Sequence, residues 1–177
     1  MATIENTPAV PQAQPRVLFL LPEISEGVGG VHVVADLCNH LITSGVPAAC
    51  AIITPRGEEV VNFKESLQFK PLYFPGELSL VFASQLQPQL VVSTLYSTAV
   101  PAFLFARERN IPHLNFVQGY EFYFDNGVHF PEVEDAYRLS DRLLATSSWL
   151  EAGIRRHAPE KPAAVLPLGA DEKVFFS

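Results

Sequence analysis

Two short stretches of this chain hold residues whose types and spacing could do chemistry. The first is Glu26-Gly27-Val28-Gly29-Gly30-Val31-His32, where three glycines sit directly before a helical pattern. Such a turn lets backbone N–H groups approach an anion closely, and the N-terminus of the following helix favours negative charge. A dinucleotide fingerprint would need Gly27-x-Gly29-x-x-Gly, but the last position is His32. The next apolar run ends AIITPRG, with no acidic residue for a ribose hydroxyl, and there is no Walker-type lysine. A side chain at Gly30 would hinder the approach of an anion, and would strain the turn if φ there is positive. The alternative is a tight strand–helix turn that holds no ligand.

The second stretch is Phe116-Val117-Gln118-Gly119-Tyr120-Glu121. Gln118 and Glu121 are polar side chains placed where an apolar strand emerges. A carboxylate beside aromatic rings suits carbohydrate, since ring faces and hydrogen-bonding groups together match a sugar. Equally, Tyr120, Phe122, Tyr123, Phe124 and Phe130 read as an apolar flap packed on the domain itself, and the two readings are compatible. Ser147 or Ser148 reads as a helix cap. His32, His40, His113, His129 and His157 show no ligand spacing, and neither a Gly-x-Ser-x-Gly elbow nor a Cys/His pair is present.

The elements that position these stretches follow from hydrophobic periodicity. Residues 16–21 (RVLFLL) form a short continuous apolar run that stops at Pro22, as expected of a strand buried on both faces. Val31, Val34, Ala35, Cys38, Leu41 and Ile42 then recur at helical spacing, with Gly45 as a stop. Strands are predicted at 48–53, 67–73, 90–95, 113–117, 142–146 and 163–166. Helices are predicted at 78–87, 99–109, 132–139 and 148–157. This alternation implies an α/β fold with a doubly wound, mainly parallel Rossmann-like sheet and right-handed crossovers. Ligands in such sheets bind outside the carboxyl ends of the strands where strand order reverses, which selects the loops at 22–30, 54–57, 95–98 and 118–131.

Composition narrows the classes. The 177 residues are 48% hydrophobic and 18% charged, enough to bury a full core. Acidic residues outnumber basic ones 19 to 12, for a net charge of −7, and no Lys/Arg stripe offsets this, so nucleic acid is not an expected partner. The two cysteines, Cys38 and Cys50, fall in apolar patterns and read as core residues, which suits a reducing cytoplasm. No apolar run approaches the ~20 residues of a membrane span. With Pro8, Pro11 and Pro15 in a polar stretch, residues 1–15 read as a flexible leader.

Four segments together resemble glycosyltransferase family 4, whose members are retaining, nucleotide-sugar-dependent enzymes of the two-domain GT-B type. VLFLLPEISEGVGGVHVVADLCNHLITSGV resembles the opening strand, Gly-Gly turn and helix of that family. FVQGYE resembles its fifth-strand segment, LLATSSWLEAGIRR its late strand–Ser–helix segment, and PLGADEKVF the stretch at which such chains leave the first domain. The resemblance implies that Gly29 and Gly30 face the donor diphosphate across an interdomain cleft, and that this domain mainly carries acceptor-binding loops. Tyr96, Tyr120 and His32 are the acceptor-binding candidates, and Gln118 and Glu121 the catalytic ones. The family usually carries His where this chain has Gln118; Gln can hydrogen-bond a sugar but cannot act as acid or base near neutral pH. Some relatives that make surface polysaccharides have Gln there followed by an acidic residue, which gives Glu121 added weight.

The resulting expectations are a leader at 1–15, a Rossmann-like acceptor-side domain at 16–166, and the start of an interdomain linker at 167–177. The C-terminal donor domain would be absent from this sequence and would be this chain's partner. No metal and no cofactor are expected beyond a nucleotide diphosphate sugar as co-substrate. The acceptor would be a glycan or a lipid-linked molecule, and the location cytoplasmic, with the inner face of a membrane compatible. Such a cut surface should expose apolar area at the carboxyl edge of the sheet, with residues 119–131 contributing. The competing classes are a single-domain binding subunit with a separately encoded partner, and another Rossmann-type nucleotide-using enzyme.

Overall fold

The computed structural model describes residues 14–22, 29–53, 67–68, 71–73 and 86–169. In chain order these form β1 (Val17–Leu21), α1 (Gly29–Thr43), β2 (Ala48–Ile52), β3 (Leu72–Tyr73), β4 (Leu90–Ser93), α2 (Tyr96–Arg109) and β5 (His113–Val117). A 3-10 helix (Glu121–Gly127) follows, then α3 (Phe130–Leu139), β6 (Arg142–Ala145), α4 (Ser148–Ile154) and β7 (Ala163–Val165). The seven strands form one sheet in the order β3-β2-β1-β4-β5-β6-β7. Every neighbouring pair is parallel, with Val17 opposite both Ala48 and Leu90. Strand order reverses between β1 and β4, so the expected doubly wound α/β sheet is present.

The continuous apolar strands are explained by layers on both sides. Alternate residues of β1 point to opposite faces. Phe19 and Leu21 pack with Val31, Val34 and Cys38 of α1, whereas Leu18 and Leu20 pack with Ala102, Phe105 and Ala106 of α2. A third cluster joins Val117, Leu143 and Ala145 to Val133, Ala136 and Tyr137 of α3 and Leu150 and Ile154 of α4. Cys38 and Cys50 are fully buried within the α1 layer.

The stops read from the sequence are real. Gly45 has φ +82° and its N–H donates to the Ile42 carbonyl, while Val46 N–H reaches back to Leu41, so the left-handed residue ends α1. Asn110, at φ 53°, ends α2 the same way. Several boundaries differ: the helix expected at 148–157 ends at Ile154, that expected from 132 starts at Phe130, and the strand expected at 90–95 ends at Ser93. The helix expected from residue 99 begins at Tyr96, because its first N–H groups find side-chain acceptors, described below. The strand expected over 67–73 is confined to Leu72–Tyr73 among the described residues. Of the helix expected at 78–87, residues 78–85 lie outside the described residues; Leu86 and Gln87 are not helical, and Leu86 is buried against the α2 layer. No helix among the described residues is long and apolar enough to cross a membrane.

Candidate functional site

At the β1/β4 reversal, a cavity of about 220 Å³ opens at the carboxyl ends of the strands. The end of β1 supplies Leu21 and Pro22, the first turn of α1 supplies Gly30 and Val31, and the end of β4 supplies Thr94 and Leu95. From beyond β5 come Gln118, Gly119, Glu121 and Phe124. The two central strands are tied at this point, since Thr94 Oγ1 donates to the Leu20 carbonyl at 2.9 Å. The walls are largely apolar, and among the described residues the lining contains no lysine or arginine.

Glu121 is the principal charged-type group of the cavity. It is 2% exposed, and its Oε2 accepts the Tyr96 backbone N–H at 2.9 Å. Tyr96 opens α2, so the carboxyl caps a helix N-terminus whose partial positive charge favours an anion. Thr98 completes the cap: its Oγ1 accepts the N–H groups of Thr94 and Leu95 at 3.1 and 3.2 Å. These acceptors start α2 three residues early. Burial nevertheless outweighs the Tyr96 hydrogen bond and pushes the Glu121 pKa up to about 8. At neutral pH Glu121 is therefore a carboxylic acid, able to donate a hydrogen bond into the cavity as well as accept one.

Gln118 and Gly30 both line the cavity, the amide of one lying close against the backbone of the other. A Cβ built on Gly30 would lie 3.3 Å from both the Nε2 and the Oε1 of Gln118, so the closeness of that amide restricts residue 30. Strain is not the reason: among the described glycines only Gly45 and Gly127 have positive φ, so the condition under which a side chain at Gly30 would strain the turn is not met. Gln118 Oε1 is buried without a hydrogen-bond partner. Gly29 differs from its neighbour; it is exposed, and nothing lies within 4 Å of a Cβ placed there.

No protein-family model matches the sequence, and no curated protein matches it. Solved structures do. Sucrose-phosphate synthase from Thermosynechococcus elongatus matches with a TM-score of 0.67 at 16% identity, over 92% of this chain and 50% of that one. Phytolacca americana UGT2, complexed with UDP-2fluoro-glucose and pterostilbene, matches with a TM-score of 0.55 at 11% identity, over 92% of this chain and 56% of that one. What is shared is the fold. This chain spans about half the length of either structure.

Of the residues singled out in the sequence, the fold brings Gly30, Gln118 and Glu121 together. Gly29 lies beside them at the start of α1. His32, Tyr96 and Tyr120 do not line the cavity. His32 is half-buried on α1. The Tyr96 ring stacks on His129 at 5.1 Å, so this residue meets the site through its backbone. Tyr120 turns toward α4, where its hydroxyl meets His157 Nε2 at 2.9 Å. Ser147 caps α4 by accepting the Leu150 N–H at 3.2 Å, as the capping reading required. The loop at 54–57, residues 23–28 and residues 170–177 lie outside the described residues.

The aromatic stretch divides. Phe122 is buried and Tyr120 half-buried, whereas Tyr123, Phe124, Val128 and Phe130 are exposed, with Trp149 exposed nearby against Tyr120. The flap thus packs on the domain with one side and leaves an apolar surface at the carboxyl edge with the other. Sequence reasoning missed Thr94 and Phe124 as cavity residues, and the buried polar row of Ser93, His113 and Asn115 beneath α2. A polar residue inside HLNFV was the available signal.

Proposed function

We propose that the chain is the acceptor-side half of a GT-B-type glycosyltransferase, resembling family 4, that moves a sugar with retention from a nucleotide diphosphate sugar to a glycan or lipid-linked acceptor. The observation that carries this reading is the cavity at the β1/β4 reversal with the buried Glu121 acid on its wall. The fold shared with sucrose-phosphate synthase and with a UGT2 holding a UDP-sugar analogue supports it. The exposed aromatic edge supports a second body facing the cleft, the donor domain of the same protein.

The roles follow from the chemistry of each group. Gly29 and Gly30 open a 15-residue helix whose N-terminus favours the donor diphosphate. The cavity beside them, with its largely apolar walls and the amide and carboxyl of Gln118 and Glu121, suits the uncharged hydroxyls of the acceptor. Gln118 Oε1 accepts from one hydroxyl, and the protonated Glu121 donates to another. His32, Tyr96 and Tyr120 belong to the surrounding acceptor region, with Tyr96 and Tyr120 acting through the position they give Glu121. In transfer, the acceptor oxygen bonds to the anomeric carbon while the bond to the diphosphate breaks, the hydroxyl proton passes to the leaving phosphate oxygen, and Glu121 keeps its own proton as a hydrogen-bond donor.

The test is turnover against pH in the full-length enzyme. Activity should fall as pH rises through about 8, where Glu121 loses its proton. Glu121→Gln, a neutral donor of the same shape, should retain activity within about tenfold and lose that alkaline limb. An alkaline limb that persists in Glu121→Gln would remove Glu121 from this role.

A further inference from the structure

His157 lies just beyond the end of α4, at the meeting point of three elements. Its Nε2 is 2.9 Å from Tyr120 Oη, and its Nδ1 is 3.4 Å from Glu134 Oε1 on α3. The Phe122 ring stacks on the imidazole with centroids 3.9 Å apart, and Phe130 meets it edge-on at 5.4 Å. Tyr120 and Phe122 are the two residues that flank Glu121. Of three consecutive residues, the outer two grip one imidazole, while the middle one turns away and caps α2. The approach of α4 is close on this side: a Cβ on Gly153 would lie 2.8 Å from the Tyr120 ring.

We infer that His157 is a positioning residue for Glu121. By holding Tyr120 through a hydrogen bond and Phe122 through a stacked ring, it fixes the backbone on both sides of the carboxyl and keeps Glu121 against the N-terminus of α2. Glu134 orients the imidazole from behind, so that the nitrogen facing Tyr120 is set by the contact on the other nitrogen. The consequence for function rests on the reading of Glu121 as the acid of the site, but the geometry itself can be tested apart from activity. A one-ångström displacement at a site of this kind costs up to about 10²-fold in rate, which gives a residue that never touches substrate a measurable effect.

The experiment follows two signals in the 177-residue chain by NMR: the titration of the Glu121 side chain, and hydrogen exchange of the Tyr96 amide that Glu121 accepts. In His157→Ala, the Glu121 midpoint should move from about 8 toward the ordinary 4.5 as water reaches the carboxyl. Tyr96 exchange should speed up by about tenfold or more relative to sheet amides such as Phe19. Leu150→Ala, a core truncation on α4, the helix that ends just before His157, controls for general loosening and should leave the Glu121 midpoint in place. Tyr120→Phe removes only the hydroxyl and should shift both signals in the same direction by less; it also serves if His157→Ala does not fold. Unchanged midpoint and exchange in a folded His157→Ala or in Tyr120→Phe would overturn the inference, as would an equal shift in Leu150→Ala. Shifted signals with unchanged turnover of the full-length enzyme would uphold the positioning and overturn the role given to Glu121.

Discussion

The two ends of β5 bury a titratable group each, and the groups are neutral for the same reason with different consequences. At the amino end, His113 is 1% exposed, and burial lowers its pKa to about 4 despite the nearby Asp141 carboxylate. Past the carboxyl end, burial raises Glu121 to about 8 despite the Tyr96 hydrogen bond. His113 Nε2 spends its hydrogen-bonding capacity inside the sheet, on Ser93 Oγ at 2.8 Å. Glu121 holds one oxygen on α2 and borders a cavity with the rest. Desolvation alone therefore does not mark a functional site. The same penalty keeps a histidine neutral within the sheet at one end and a carboxyl protonated beside a cavity at the other, because the cavity lies at the carboxyl edge.

The sharpest way to break this comparison is stability against pH. The unfolded chain protonates histidine near 6.5, whereas folded His113 resists down to about 4. Stability from this group is complete above about 6.5 and is lost as pH falls toward 4, by about 3 kcal/mol. Asp141, whose carboxyl is held below the usual range by hydrogen bonds from His113 N–H and Arg107 and by their charge, adds to the loss at still lower pH. Glu121 acts in the opposite sense. Its stabilisation is complete below about 4.5 and is lost as pH rises through about 8. Urea unfolding of His113→Gln should lose the acid slope, and of Glu121→Gln the alkaline slope; one variant flattening both limbs would contradict the separation.

Turnover separates the two groups differently. Under the proposed function, Glu121→Ala should lower turnover ~10²-fold or more, in the range of acid–base or strong positioning roles. His113→Gln, which touches no cavity residue, should leave the rate constant once stability is allowed for. Loss of activity in both would mean that the cavity is not the boundary between structure and function.

The glycine pair sharpens the contrast on the opposite wall. Gly30→Val places its branches against the Gln118 amide and should reduce turnover by about tenfold with the domain still folded. Gly29→Val meets open space and should cost folding little, so its effect on turnover reports the diphosphate role alone. Equal, near-wild-type rates for both variants would end the assignment of this turn to the donor.

The smallest expected signal is binding by the chain itself. Under the proposed function, in which the cleft lies between two bodies, calorimetry of this chain with UDP-, GDP- and dTDP-sugars should give weak binding or none. Sub-micromolar affinity would show that this chain suffices and would favour the single-domain binding subunit.

The sequence by itself determined the order of elements and the kind of sheet. VLFLL, AACAI and LVV are apolar throughout, which fits strands covered on both faces, and Gly45 and Asn110 stop helices through left-handed backbone that few residues adopt. It also determined which loops emerge at the carboxyl edge, and hence Gly30, Gln118 and Glu121 as candidates. It could not assign Tyr96 and Tyr120 their places, because ring direction depends on which helix lies opposite; α4 draws Tyr120 away from the cavity, and His129 draws Tyr96. Nor could it show that Glu121 holds its proton, for a pKa is set by burial and by distant residues such as Tyr96, 25 positions earlier in the chain. Local spacing fixes periodicity and turns, whereas desolvation and close approach arise only when separate segments are packed together.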